Sequence, residues 1–299
     1  DRVVNAIAAH AAYAGDLILC DPQAQTVDRL EIRKAGGSFT LSRRTPLVAR
    51  GGAADFRPYS LATHADAAGF WLVDQGGGGR LYRLSYEGPG RRPIPSREAD
   101  RIKALDHPAL SVRLAAEDGL VDEGEAAVVR LSTRLRQAEP TVGRIHALWA
   151  LDRIGTVESR GMIRSVLLDA SPAIRLQAAR SSGLRRDREA GEALARLVHD
   201  RDPAVRREAA VALGRIGDRA ASPALLAALG DADPFAAWSI RQALLAVDCD
   251  DQKAIVDAFL DLRRREPALL LADESWSIPI LSALVDALAK TPEPVVRGR

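Results

Sequence analysis

The chain offers little for covalent cross-linking or metal binding. Its 299 residues hold two cysteines, Cys20 and Cys249, far apart in the sequence. With no C-x-x-C pair and no C-x-x-C-H run, neither a zinc ribbon nor a c-type haem attachment site is encoded. Methionine occurs once, at Met162, and aromatic residues make up 4% of the chain. Lysine occurs only at Lys34, Lys103, Lys253 and Lys290, so the basic residues are almost all arginine. That bias fits a GC-rich genome better than it fits a particular function. No run of 18 apolar residues occurs, so no segment reads as a membrane-spanning helix.

Charge of one sign is also missing. The formal net charge of +2 is the small difference between 42 basic and 40 acidic residues. Such a balance supplies no global field for nucleic acid, which argues against it as a partner. "QGGGGR" (75–80) is rich in glycine but lacks the Lys and the helix start of a phosphate-cradling loop. No Ser-His-Asp spacing and no clustered His/Cys set points to independent catalysis. The chain begins at Asp1 without Met, as a processed chain or a piece of a longer one would.

What is present is repetition. "DPAVRREAAVALGRIGD" (202–218) carries an acidic residue before Pro203, apolar residues at helical spacing, and a closing Gly217. Counting back from Arg206 in steps of 31 reaches Arg175, Arg144 and Arg113; one step forward reaches Ala237. The frame recurs three residues later at Ala116, Ala147, Ala178, Ala209 and Ile240. Seven residues after each anchor stand Leu120, Leu151, Ser182, Leu213 and Leu244. A period of this size, held over five copies, marks a stacked repeat protein. Between these helices lie others, as in "VESRGMIRSVLLDA" (157–170), "EAGEALARLVHD" (189–200) and "RAASPALLAALGD" (219–231). Each unit is thus helix, short acidic turn, helix. Pro in the first turn loses no intrahelical bond, and the Asp before it can accept the free N–H groups. The expected fold is an α-solenoid in which each pair buries its apolar stripe on the next.

The register puts one arginine per repeat in a ladder, Arg113, Arg144, Arg175 and Arg206. Two readings stand: each Arg staples neighbouring repeats through an inter-repeat Asp or a helix C-terminal carbonyl, or the column meets an anionic partner such as DNA phosphates. The acidic turns at Asp106, Asp169, Asp200 and Asp231 favour the staple. Trp149 and Trp238, set among Ala and Leu, are expected in the core.

The N-terminal third has a different texture. Six β-prone runs (15–21, 26–33, 37–44, 57–64, 69–75 and 79–88) alternate with Gly, Asp and Pro turns, without a helical pattern between them. This argues an all-β unit. The rhythm of "LATHADAAGFWLVDQGGGGRLYRLSY" favours a propeller blade, and Asp21 stands in one blade where Asp74 stands in the next. Six strands make one and a half blades, so the remaining blades are expected before Asp1.

Two resemblances follow. D-x-D-P-x-V-R-x-x-A-x-x-A-L-G-x-I-G, as it stands in Asp200 through Gly217, resembles the short HEAT repeats of the phycobilisome-lyase type, over roughly residues 104–250. Beyond Ala237 the helices persist but the frame slips by Pro279, which reads as a degenerate last unit. The order of "GDLILCDPQAQTVDRLEI", "DFRPYSLATHADAAGFWLVDQGGGGRLYRLSYEG" and then "ALDHPALSVRLAA" is similar to large secreted proteins of planctomycetes and their relatives. There a propeller like that of glucose/sorbosone dehydrogenases leads into HEAT repeats, and many members end in a cytochrome c domain. That resemblance implies a partial β-propeller of one to two blades over 1–90, a linker over 91–103, a HEAT-repeat solenoid over 104–290 and a truncated tail over 291–299. It implies a periplasmic or secreted location, missing blades in cis, and protein partners on the solenoid face. Pyrroloquinoline quinone and Ca²⁺ would belong to the parent propeller and haem c to a further domain, with no cofactor held by this chain. By the same resemblance Arg57, His64, Asp74 and Gln75 would face the propeller channel; the alternative is that Arg57 and Asp74 fix blade turns and His64 is a solvated loop residue. The expected function is a scaffold without catalysis of its own. The alternatives are a piece of a quinone-dependent sugar or alcohol oxidoreductase passing electrons to cytochrome c, and a DNA-binding HEAT-like protein.

Overall fold

The computed structural model describes residues 4–7, 16–50, 55–63, 69–85, 100–107, 110–261, 263–275 and 277–290. His64, most of the expected linker and the tail from 291 lie outside them. The chain divides into two compact units, residues 1–35 with 39–154, and residues 36–38 with 155–299.

Strands β1 (Val4–Ile7), β2 (Leu17–Asp21), β3 (Thr26–Ala35) and β4 (Ser38–Ala49) form one sheet in sequential order. Strands β5 (Pro58–Thr63), β6 (Gly69–Asp74) and β7 (Arg80–Ser85) form a second, also sequential. The six expected runs are all strands. β1 is an addition: its four residues carry no alternation by which a strand could be read.

β2 and β3 pair antiparallel, Cys20 opposite Val27 and Asp21 opposite Thr26. Asp21 closes their turn by accepting the Ala24 N–H at 2.9 Å. The period-two rule works on β6, where Phe70 and Leu72 are buried and Val73 points out. Ile18, Cys20 and Val27 share one apolar core with Phe56, Leu61, Phe70 and Leu72, so the two sheets bury their inner faces together. The same unit continues in α1 (Arg101–Ala104), α2 (Leu110–Asp122), α3 (Glu125–Arg136) and α4 (Thr141–Ile154), with α2 and α3 packed on α4.

The second unit is helical: α5 (Val157–Ser165), α6 (Pro172–Leu184), α7 (Gly191–Leu197), α8 (Pro203–Ile216), α9 (Ser222–Ala227), α10 (Pro234–Ala246), α11 (Gln252–Leu260), α12 (Arg265–Ser275) and α13 (Ile278–Lys290). α8 packs between α6 and α10, and α7 and α9 form the other layer. Local chemistry sets the boundaries. Asp202 accepts the Ala204 N–H in front of Pro203, and Asp233 accepts from Phe235 and Ala236 around Pro234. α8 stops where Gly217 takes a left-handed conformation, φ 71°, and returns its N–H to the Leu213 carbonyl.

The repeats approach closely through small residues in register. A Cβ on Gly183 of α6 would stand 2.6 Å from the Ala212 Cα of α8, and one on Gly214 would stand 3.2 Å from the Ala243 Cα of α10. Both contacts repeat at the 31-residue step.

One expectation fails. Trp238 is 56% exposed and Trp149 38% exposed, not core. In α10 the buried set is Ala236, Ser239, Ile240, Ala243 and Leu244. Small residues and a serine fill the close contact with α8, and the indole is turned out.

Candidate functional site

The register column is a chain of ion pairs in the second unit. Arg175 donates from Nε and NH2 to both carboxylate oxygens of Asp200, each at 2.8 Å. Arg206 does the same to Asp231, at 2.5 and 2.7 Å. Each arginine turns its NH1 back onto the carbonyl six residues earlier: Arg175 onto Asp169 at 2.7 Å, Arg206 onto Asp200 at 2.9 Å. Asp200 therefore joins two rungs, its carboxylate to the rung before and its main-chain oxygen to the rung after. The carboxylates also order the turns. Asp169, Asp200 and Asp231 accept the N–H of Ser171, Asp202 and Asp233, the residue before each helix's proline, at 2.9, 2.8 and 2.8 Å.

Bidentate Arg–carboxylate geometry combines charge with direction, and burial strengthens it. The Asp231 hydrogen bonds hold the Arg206 guanidinium above its ordinary value. At position 237 alanine replaces arginine, and the ladder ends. The next turn aspartate, Asp261, takes the Arg263 N–H at 2.9 Å in the same way, but it comes 30 residues after Asp231 instead of 31. The frame has already slipped before Pro279.

In the first unit the column departs from the Asp pattern. Arg113 keeps the bond to the carbonyl six residues back, His107, at 2.6 Å, but its Nε donates to His146 Nε2 at 3.0 Å. That donor leaves His146 Nδ1 as the protonated nitrogen, and it donates to Glu117 at 2.8 Å. Burial lowers the Arg113 guanidinium from its ordinary value. Arg144 donates from Nε to the Leu135 carbonyl at 2.8 Å. The histidine relay could not be read from the sequence, because Glu117 and His146 meet only when α2 packs on α4.

Asp74 and Arg57 meet through a turn. Asp74 is fully buried, and its Oδ1 accepts the N–H of Arg57 at 2.7 Å and of Gly76 at 2.9 Å. The Arg57 carbonyl in turn accepts from the Gln75 N–H at 2.9 Å. Among the described residues Asp74 Oδ2 has no hydrogen-bond partner, and it lies 3.6 Å from Arg80 NH1. The geometry thus engages Arg57 and Gln75 through their main chains. Among the described residues no group of three or more His, Cys, Asp or Glu side chains is arranged to hold a metal ion.

The outer faces of α6, α8 and α10 carry exposed side chains, and the turn at Gly36–Ser38 covers part of them. Arg207 donates to the Gly37 carbonyl, and the Gly37 N–H donates to Asp233 at 2.8 Å. Leu184, Phe235 and Trp238 are large, apolar and exposed there. Arg180, one turn before Leu184 on α6, and Arg215, level with Leu184 on α8, are exposed too and take no hydrogen bond or ion pair among the described residues. The signal was available in the register. Trp238 stands 31 residues after Arg207, a polar position of the preceding repeat.

Residues 162–245 match the family described as HEAT repeats, and they form a helical solenoid in the structure. No curated protein matches the sequence. Among solved structures, the E. coli protein YibA is 20% identical with a TM-score of 0.46, over 64% of this chain and 75% of its own. The CpcE–CpcF complex of phycocyanin lyase from Nostoc sp. PCC7120 is 20% identical with a TM-score of 0.42, over 70% and 86%. Human deoxyhypusine hydroxylase in complex with glycerol is 21% identical with a TM-score of 0.34, over 62% and 73%. No described helix is long and apolar enough to cross a membrane.

Proposed function

We propose that this chain is a scaffold whose HEAT solenoid binds a protein partner. The observation that carries this reading is the division of labour among the arginines of the second unit. Arg175 and Arg206 are consumed in stapling the repeats, while Arg180 on α6 and Arg215 on α8 stand exposed on the helix layer that also exposes Trp238 on α10. A solenoid held by nearest-neighbour contacts keeps such a face in a fixed geometry, which lowers the ordering cost of binding. Cross-linking mass spectrometry with proteins of the source organism, followed by reconstitution from purified components, tests the reading. A stoichiometric protein complex is expected. Turnover of a small molecule by the purified chain without any protein partner would overturn it.

We further infer that β1–β4 and β5–β7 are neighbouring blades of a propeller. The sequential antiparallel order of both sheets and the core shared by β2, β3, β5 and β6 support it. We assign Asp74 to its turn and not to a quinone or Ca²⁺, since Oδ1 already accepts two N–H groups. Reading the flanking frame of the gene tests the blades. Further four-strand units are expected there, and a frame without them removes the propeller.

A further inference from the structure

The α6–α8–α10 face has a chemistry specific enough to define its occupant. Four positions recur across it at the 31-residue step. One row is Leu176, Arg207 and Trp238; the next is Arg180, Val211 and Gln242; a third is Leu184, Arg215 and Ala246. A fourth begins the face with Ala173 and Ala204 and ends in Phe235. None of these twelve positions is acidic. Carboxylates flank them: Glu208 is half-buried on the side of α8, Glu274 accepts the Gln242 amide at 3.1 Å, and Asp233 accepts the Phe235 N–H at 3.1 Å.

The close contacts at Gly183–Ala212 and Gly214–Ala243 draw the three helices together. Small residues at the contact favour the short end of the 8–10 Å range of helix separations, so neighbouring columns stand about 8 Å apart. Arginines on adjacent columns, one turn out of step, are then within reach of a single short peptide. Trp238 and Phe235 are exposed one turn apart on α10. The Gly37 turn and Asp233 lie at Phe235, and Arg207 is bonded to Gly37, which leaves Trp238 with Arg180 and Arg215 as the accessible part of the face.

We propose that this face binds an acidic peptide segment of a partner protein, its carboxylates meeting Arg180 and Arg215 and an apolar side chain lying on Trp238. The inference rests on the scaffold reading and names the partner's chemistry. Charge complementarity argues for the acidic residues, and the exposed Trp238 argues for the apolar anchor, since Trp and Arg are the side chains that most often dominate interfaces. The face is a poorer match to nucleic acid. Its apolar side chains outnumber its arginines, and the chain as a whole carries a net charge of only +2.

The test uses the full chain and fluorescence anisotropy with three labelled probes: a peptide of repeating Glu-Glu-Leu-Phe, the same peptide with Gln for Glu, and single-stranded DNA. The acidic peptide should bind, and the neutral one should bind about tenfold more weakly or worse. Arg180→Glu with Arg215→Glu should weaken the acidic peptide by about tenfold or more, and Trp238→Ala should weaken it comparably. All three side chains are exposed, so the variants should keep the wild-type melting temperature, which is measured alongside. Equal binding of both peptides overturns the proposal, as does tighter binding of the DNA with the same arginine dependence. Binding of no probe also overturns it. In that case a natural partner cross-linked to other helices would leave the scaffold reading standing.

Discussion

Arg206 holds Asp231 across one repeat with two parallel hydrogen bonds, Nε to Oδ2 at 2.5 Å and NH2 to Oδ1 at 2.7 Å. The pair is mostly shielded, with side-chain exposures of 18% and 7%. Because Asp231 also accepts the Asp233 N–H, one carboxylate sets both the inter-repeat contact and the start of α10. Stacking and capping are therefore the same interaction.

This gives the first prediction. Asp231→Ala leaves Arg206 without its carboxylate and removes an acceptor from the turn, and should cost about 2–4 kcal/mol of unfolding free energy. Asp248→Ala breaks an ion pair of Arg219 whose partners are 58% and 82% exposed, and should cost far less because water screens the pair. Urea unfolding of the two variants measures the difference. Equal effects would mean that the ladder is ordinary surface charge.

Helix spacing gives the second. Gly183→Ala puts a methyl group 2.6 Å from the Ala212 Cα, a distance that forces α6 and α8 apart, and should cost about 1–3 kcal/mol. Gly214→Ala meets the Ala243 Cα at 3.2 Å and should cost less. Both glycines sit inside helices, where alanine alone would gain up to about 1 kcal/mol. A stabilised Gly183→Ala variant in thermal melts would contradict the close packing.

The third concerns the β unit. Asp74→Ala leaves the N–H groups of Arg57 and Gly76 without their acceptor and should destabilise by about 2–4 kcal/mol. Asp74→Asn keeps an acceptor at Oδ1 and should fall between it and the wild type. Melting followed by near-ultraviolet circular dichroism, to which Trp71 contributes, reads the effect. If Asn and Ala were equally harmful, the charge and not the turn bonds would be the requirement.

Cys20 supplies a prediction in pH. Burial pushes its thiol up to about 11, so at pH 8 it stays protonated in the folded chain. Iodoacetamide should modify half-buried Cys249 first and reach Cys20 only after unfolding. The folded state keeps a proton that the unfolded state releases near pH 8.5. This group's contribution is therefore full below pH 8.5 and is lost as pH rises from there towards 11. Equal alkylation rates for the two thiols at pH 8 would contradict the burial.

Much of this architecture could be read from order and spacing alone. The 31-residue period, the Asp-Pro helix starts, the Gly217 stop and six of the seven described strands each depend on residues near one another in the chain, where backbone preferences act. The Arg column belongs here too, because a repeat places like residues in like positions. Other features were not legible. β1 has no periodic signature in its four residues and is a strand because β2 pairs with it. His146 and Glu117 lie 29 residues apart and meet through helix packing. Trp238 was misjudged because α10 read alone is apolar on nearly every side; only its register with Arg207, one repeat earlier, marks that side as outward.

The sequence by itself determined the repeat, its caps and its candidate staples. Tertiary structure decided what each side chain of a nearly uniform helix does. Gly183 and Gly214 draw the helices so close that only Ala and Ser fit between them, and the large residues of α10 are turned outward. Local patterns record what a segment can form. Steric exclusion between neighbouring segments selects the face it buries, and here that selection turns Trp238 outward.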